Sequence, residues 1–430
     1  MSDVWQLVVI GAGAAGLMAA ETAAARGLSV LLLEKNRRPG VKILMSGGTR
    51  CNLTHATDKW GIVRAYGDQG NFLHSALAQL DPPQLVRLFE DEGMATKVED
   101  TGKIFPASDK ATDVLAVLMR RLERSGAVLA LEEPTSAIAH DGEQFLITTP
   151  KRVIPAEKLL ITTGGMSYPG CGTTGDGYAW AEQFGHTIVR PRPALVPITT
   201  PDMWVKTLTG LTIPDMLLRV VPAATEPPAA GTPPTEGKPK KGKAKAFLAE
   251  RRSSLLFTHF GLSGPAALDV SRAISGEEKP AQLKLVCDFL PDIKLEALEE
   301  QLKVECTTGG KKQLVAVASR FVPRRLAESM LDLLGLALES RAAELSKSSR
   351  SQLALAMKGQ TIRVEGTRGF PKAEVTAGGV SLKEVDSHTM ESKLRPGLFF
   401  AGEVLDLDGP IGGYNFQAAF STAKLAGMSV

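Results

Sequence analysis

Apolar and polar positions divide this chain into an alternation of strands and helices. Residues 4–10 form an apolar run rich in β-branched side chains, which predicts a buried strand. An alanine-rich stretch, 14–26, predicts a helix stopped at Gly27. Residues 29–33 predict a second strand that ends in Glu34. Amphipathic spacing then predicts helices over 81–92 and 110–125, with a short hairpin at 95–100 and 103–106 between them. Strands are expected at 127–131, 145–149 and 158–162. A glycine-rich loop, 163–177, and a helix, 178–184, follow. From 191 to about 290 prolines and short strands dominate, with a compact loop at 256–265. Helices return at 295–302, 311–320, 324–334 and 351–357, then a strand at 361–365. The segment 373–380 leads to a terminal strand, 398–401, and a last helix, 415–426.

Two of the junctions carry candidate chemistry. The first strand runs into Gly11-Ala12-Gly13-Ala14-Ala15-Gly16. Gly11 allows the tight turn, Gly13 lets backbone approach a pyrophosphate, and Gly16 lets the helix pack on the sheet. The helix N-terminus, at Ala14 and Ala15, presents its positive end to the phosphates. Glu34 lies about 20 residues further on, where an acid binds a ribose 2′-OH and disfavours a 2′-phosphate. The second junction comprises Gly402-Glu403 and Gly412-Gly413-Tyr414-Asn415. Two glycine turns at opposite ends predict one large cofactor, with other structure threaded between them. The loop 35–52 is rich in glycine, hydroxyls and cations. Lys35, Lys42, Ser46, Gly47 and Arg50 suit an anionic ligand wrapped by N–H groups and positive charge. Gly164 and Gly165 bring the chain back towards the nucleotide.

Composition narrows the class. The 430 residues allow about two or three domains. No apolar run approaches the ~18 residues that span a bilayer, and no signal peptide is evident. Cys51, Cys171, Cys287 and Cys306 have no metal-binding or disulfide spacing, so a reducing cytoplasm and no metal are expected. The net charge of +3 is small, but cations concentrate at Lys238, Lys240, Lys241, Lys243, Lys245, Arg251 and Arg252. This basic stretch, 238–252, reads either as a solvated tether or as a handle for RNA.

The residues Lys42-Ile-Leu-Met-Ser-Gly-Gly-Thr-Arg-Cys-Asn-Leu-Thr, Thr163-Gly-Gly-Met-Ser-Tyr-Pro, Gly175-Asp-Gly-Tyr and Phe257-Thr-His-Phe-Gly-Leu-Ser-Gly-Pro resemble the BaiN/RdsA-like family of NAD(P)/FAD-dependent flavoproteins. Further matches are Ala373-Glu-Val-Thr-Ala-Gly-Gly-Val, Met390-Glu-Ser-Lys, Phe400-Ala-Gly-Glu-Val-Leu-Asp and Gly412-Gly-Tyr-Asn-Phe-Gln, so the resemblance covers essentially the whole chain. The family usually has glycine at Thr49 and asparagine at His55. The resemblance implies an α/β fold: a two-part Rossmann-like FAD-binding domain, residues 1–190 and 371–430. A β-barrel-like insert is expected at 191–290 and 358–370, with a disordered loop at 222–247, and a helical subdomain at 291–357. FAD is the implied cofactor and NAD(P)H the transient donor. Family chemistry is reduction of a conjugated C=C, either in a uracil of large-subunit (23S) ribosomal RNA or in a small enone. A related branch oxidises small amines with O2. Reduction needs a proton donor, and the candidates are Cys51, His259 and Tyr414. Cys51 reads equally as a small buried residue, and His259 as a loop hydrogen-bonder.

Overall fold

The computed structural model describes residues 4–224 and 247–430. Most of the expected disordered loop, with its lysines, lies outside the described residues. The chain divides into two units, Met1–Pro193 with Phe370–Val430, and Ala194–Gly369.

The first unit is built on a mostly parallel sheet. Val128–Ala130, Val30–Leu33, Trp5–Ile10 and Val153–Ile161 are successive parallel neighbours. The long strand Val153–Ile161 splits its other edge. Its first part pairs antiparallel with Phe145–Thr148, and its last residues pair parallel with Leu398–Phe400. Ile161 thus lies opposite both Ile10 and Phe400. This places the chain that leaves Ile10, Ile161 and Phe400 at one edge of the sheet, beside the topological switch where such folds bind ligands. Helix Ala14–Ala24 is almost wholly buried, which explains its alanine-rich, non-amphipathic composition. It packs closely on the last helix, Tyr414–Ser429. A Cβ on Gly427 would lie 2.7 Å from the Ala19 carbonyl oxygen. Arg26 donates to the carbonyls of Gly427 and Val430 at 2.9 and 2.8 Å, placing a cation at the negative end of that helix.

The second unit is an antiparallel sheet. Its strand order is Gln360–Arg363, Leu283–Asp288, Thr212–Pro222, Ala249–Thr258, Gly261–Ser263, Ile198–Thr199, Gly366–Thr367. The expected loop at 256–265 is instead a strand end, a tight hairpin turn at His259-Phe260, a second short strand, and the start of helix Gly264–Ser275. Pro265 sits in that helix's first turn, where a missing N–H costs nothing. The helices in 291–357 keep only a small cluster of their own, Cys306, Val317 and Ala342. Leu298, Leu326, Met330 and Met357 share one apolar cluster with Leu218, Leu255 and Leu285 of the sheet. Arg251 and Arg252, counted above with the basic stretch, are spent on carboxylates. Arg251 reaches Asp269 at 2.8 Å, and Arg252 reaches both Asp215 and Asp292 at 2.6 Å. Among the described residues no helix is long and apolar enough to cross a membrane.

Candidate cofactor site

The three glycines of the first turn meet three different surroundings. Gly11 has φ +102°, and a Cβ there would lie 2.8 Å from the Thr162 carbonyl oxygen. A Cβ on Gly16 would lie 1.8 Å from the Gly11 carbonyl oxygen, so strand and helix touch backbone to backbone. A Cβ on Gly13 would meet nothing within 4 Å. Gly13 therefore borders open space at the head of helix Ala14–Ala24. That helix has no side-chain cap and no acid in its first turn, which leaves the positive end of its dipole uncompensated. Glu34 is 7% exposed. One carboxylate oxygen accepts from the Ala12 N–H and the other from the Asn36 N–H, both at 2.9 Å, fixing the carboxylate beside the turn.

The cation-rich loop is organised differently from the expectation. Lys35 bonds to Asp176 at 2.6 Å and Thr174 at 2.8 Å. Arg50 bonds to Glu99 at 2.6 Å and lies over the Phe105 ring, 4.0 Å from its centroid. These two cations pair with carboxylates of the chain. Lys42 bonds to Ser167 at 2.7 Å and to Glu403 at 2.5 Å. The other Glu403 oxygen accepts from the Ser167 hydroxyl at 2.6 Å and the Thr376 N–H at 2.9 Å. Lys42, in the short helix Val41–Met45, and Glu403 form a latch that ties in Ser167 and Thr376. Gly165 belongs to it, because a Cβ there would lie 2.4 Å from the Thr376 hydroxyl oxygen. Gly164 has φ +72°. Ser46 donates to the Ile43 carbonyl at 2.8 Å, and Gly47, Gly48, Thr49 and Cys51 all have left-handed backbone.

The last glycine turn is held by partners distant in sequence. Gly402 packs on the first helix, where a Cβ would lie 2.8 Å from Ala15 Cβ. Gly413 has φ +90°, and a Cβ would lie 2.5 Å from Thr54 backbone. His55 Nδ1 lies 3.1 Å from the Gly412 carbonyl oxygen, and its ring stacks on Tyr414 with centroids 4.8 Å apart. The Tyr66 hydroxyl donates to the Tyr414 carbonyl at 3.1 Å and the Asn415 amide oxygen at 3.4 Å. Asn415 in turn receives the Gly409 N–H at 2.8 Å and donates back to the Gly409 carbonyl at 3.0 Å. The helix that begins at Tyr414 also lacks a side-chain cap and a first-turn acid.

Sequence reasoning missed His55, Tyr66, Ser167 and Thr376. The departure from asparagine at His55 was a signal, and Ser167 and Thr376 stood inside motifs already noted. Tyr66 gave none. Of the proposed proton donors, Tyr414 heads the last helix and Cys51 lies just before the His55 segment. Cys51 is fully buried, and burial pushes its thiol up to about 12. So weak an acid is poorly matched to proton transfer near neutrality. His259 is exposed on the hairpin turn of the other unit, its ring edge-on to Phe260.

The surroundings fit a dinucleotide. The fit rests on the open face of Gly13 and two uncapped helix starts.

A family model described as the HI0933-like protein Rossmann domain matches residues 5–429. The chain belongs to this family of flavin-dependent oxidoreductases. A protein of Escherichia coli K12 named ribosomal RNA dihydrouridine synthase is 34% identical over 420 residues, covering 97% of this chain and 95% of that protein. A Haemophilus influenzae protein of the same name is 31% identical, covering 100% and 99%. A Clostridium scindens protein named 3-dehydro-bile acid delta(4,6)-reductase is 31% identical, covering 97% of both.

Proposed function

We propose that this protein is an NAD(P)H-driven, FAD-dependent reductase of a conjugated C=C bond, acting on a uracil of large-subunit ribosomal RNA to give dihydrouridine. The observation that carries this reading is its similarity, over nearly the whole length, to two relatives named for that reaction. Gly11, Gly13, Ala14, Ala15 and Gly16 would hold the pyrophosphate, and Glu34 the ribose. Gly402, Gly412, Gly413, Tyr414 and Asn415 would hold the flavin end. When bound, FAD supplies the hydride. The head of helix Tyr414–Ser429 supplies fixed positive charge where negative charge develops. Tyr414 is the chain's proton donor, and the His55 stack and the Tyr66 hydrogen bond hold it in place.

Ribosomal RNA from a strain lacking the gene tests the substrate. Loss of one dihydrouridine, restored by the gene, supports the reading, and unchanged RNA overturns it. The Clostridium scindens relative motivates a second reading, reduction of a small conjugated ketone. Turnover of such a ketone together with unchanged RNA would favour it. Rapid reoxidation by O2 with peroxide release would favour an amine oxidase instead.

A further inference from the structure

The hairpin turn at His259-Phe260 carries a side-chain cluster of its own. The turn is rigid. The Thr258 hydroxyl donates to the Gly261 carbonyl at 2.9 Å and accepts the Gly261 N–H at 3.2 Å. The Thr200 N–H donates to the Phe260 carbonyl at 3.2 Å. A Cβ on Gly261 would lie 2.3 Å from the Ile198 carbonyl oxygen, so this strand approaches its neighbour as only glycine allows. Arg368 is anchored by its N–H to the Pro197 carbonyl at 3.0 Å, and its guanidinium lies over the Phe260 ring, 4.4 Å from the centroid. His259 meets the same ring edge-on, 5.0 Å between centroids.

Several arginines of this unit are spent on carboxylates. Arg219 pairs with Glu250, Arg251 with Asp269, Arg252 with Asp215 and Asp292, and Arg363 with Asp202. Among the described residues Arg368 has no carboxylate within ion-pair distance. It is only half-buried, and His259 is exposed. An arginine held flat on an aromatic ring keeps its donors available for a planar, carbonyl-bearing partner. Splayed RNA bases are recognised by such aromatic faces and guanidinium planes.

We infer that Phe260, Arg368 and His259 form a recognition platform for a pyrimidine base of a single-stranded RNA segment. The base packs on the ring–guanidinium stack, and its carbonyl oxygens accept from Arg368. The inference rests on the RNA reading above.

The test is fluorescence anisotropy of the flavin-loaded enzyme with a short labelled oligouridylate, with flavin absorbance and melting temperature as fold controls. Wild type is expected to bind, and Phe260→Leu and Arg368→Lys each to bind about tenfold more weakly. Arg368→Lys keeps the charge and removes the plane, so its loss excludes simple charge attraction, and an abasic strand separates base contact from phosphate contact. An abasic competitor of equal length is expected to displace the probe poorly. Equal binding by both variants, or equal competition by the abasic strand, overturns the platform. Failure of the wild type to bind the probe at all overturns the RNA reading itself.

Discussion

The first and last glycine turns belong to the same unit but are secured by opposite means. The first is self-contained. Gly11 and Gly16 close it by backbone contact with each other and with Thr162, and Gly13 faces open space. The last turn is assembled from outside, by Thr54, His55 and Tyr66, residues some 350 positions earlier. Under the proposed placement of FAD, the first turn would fix whether the cofactor binds, and the last turn, through its distant partners, how the reacting end is presented.

Substitutions can break this comparison. Gly16→Ala is the most severe, because the new Cβ would fall 1.8 Å from a backbone oxygen. A loss of about 3 kcal/mol or more is expected in denaturant unfolding. Gly413→Ala combines a left-handed backbone with a contact at 2.5 Å, and about 2–3 kcal/mol is expected. Gly13→Val is the informative counterpart. Its Cβ meets nothing in the protein, so the apoprotein unfolds within about 1 kcal/mol of the wild-type apoprotein, while FAD is no longer retained after gel filtration. Retained stoichiometric FAD would refute the placement of the pyrophosphate.

Milder changes sharpen the second half of the comparison. Tyr66→Phe removes one donor shared by Tyr414 and Asn415, and about 1 kcal/mol of stability is expected to go with it. If the last turn presents the flavin, this variant also shifts the visible flavin spectrum while FAD stays bound. Cys51 makes a pH prediction. Its folded thiol is raised from 9.0 to about 12 by burial, so the folded state holds this proton more tightly than the unfolded chain. Stability is then undiminished by Cys51 below about pH 9 and falls as pH rises from there towards 12. Thiol-reactive probes should leave Cys51 unmodified at pH 8 until the protein unfolds. The smallest effect is Thr49→Gly. Thr49 is β-branched with φ +71°, and relieving it should stabilise by less than about 1 kcal/mol once glycine's extra unfolded-state freedom is subtracted.

The same contrast governs what could be read in advance. The first turn was legible because strand, glycines, helix and Glu34 fall within a short stretch, each with a local signature. The parallel strands beside it were legible as apolar runs, although Val153–Ile161 begins earlier than its apolar core suggested. Helix Gly264–Ser275 was missed because Gly264-Pro265 reads as a turn. Its buried positions Ala266, Ala267, Val270 and Ile274 do carry helical spacing. The Lys42–Glu403 latch and the Tyr66–Asn415 bond were not legible as pairs. No local pattern links residues about 350 positions apart, and a cation in a glycine loop reads the same whether a ligand or a distant carboxylate receives it. That ambiguity is why Arg50 and Lys35 were expected on an anion and are found on Glu99 and Asp176.

The most direct test of the account is the visible spectrum of the purified protein under anaerobic conditions, with NADH and then NADPH added. The account predicts a flavin band that bleaches with one of the two donors and returns slowly when air is admitted. A colourless protein that cannot be reconstituted with FAD would contradict it.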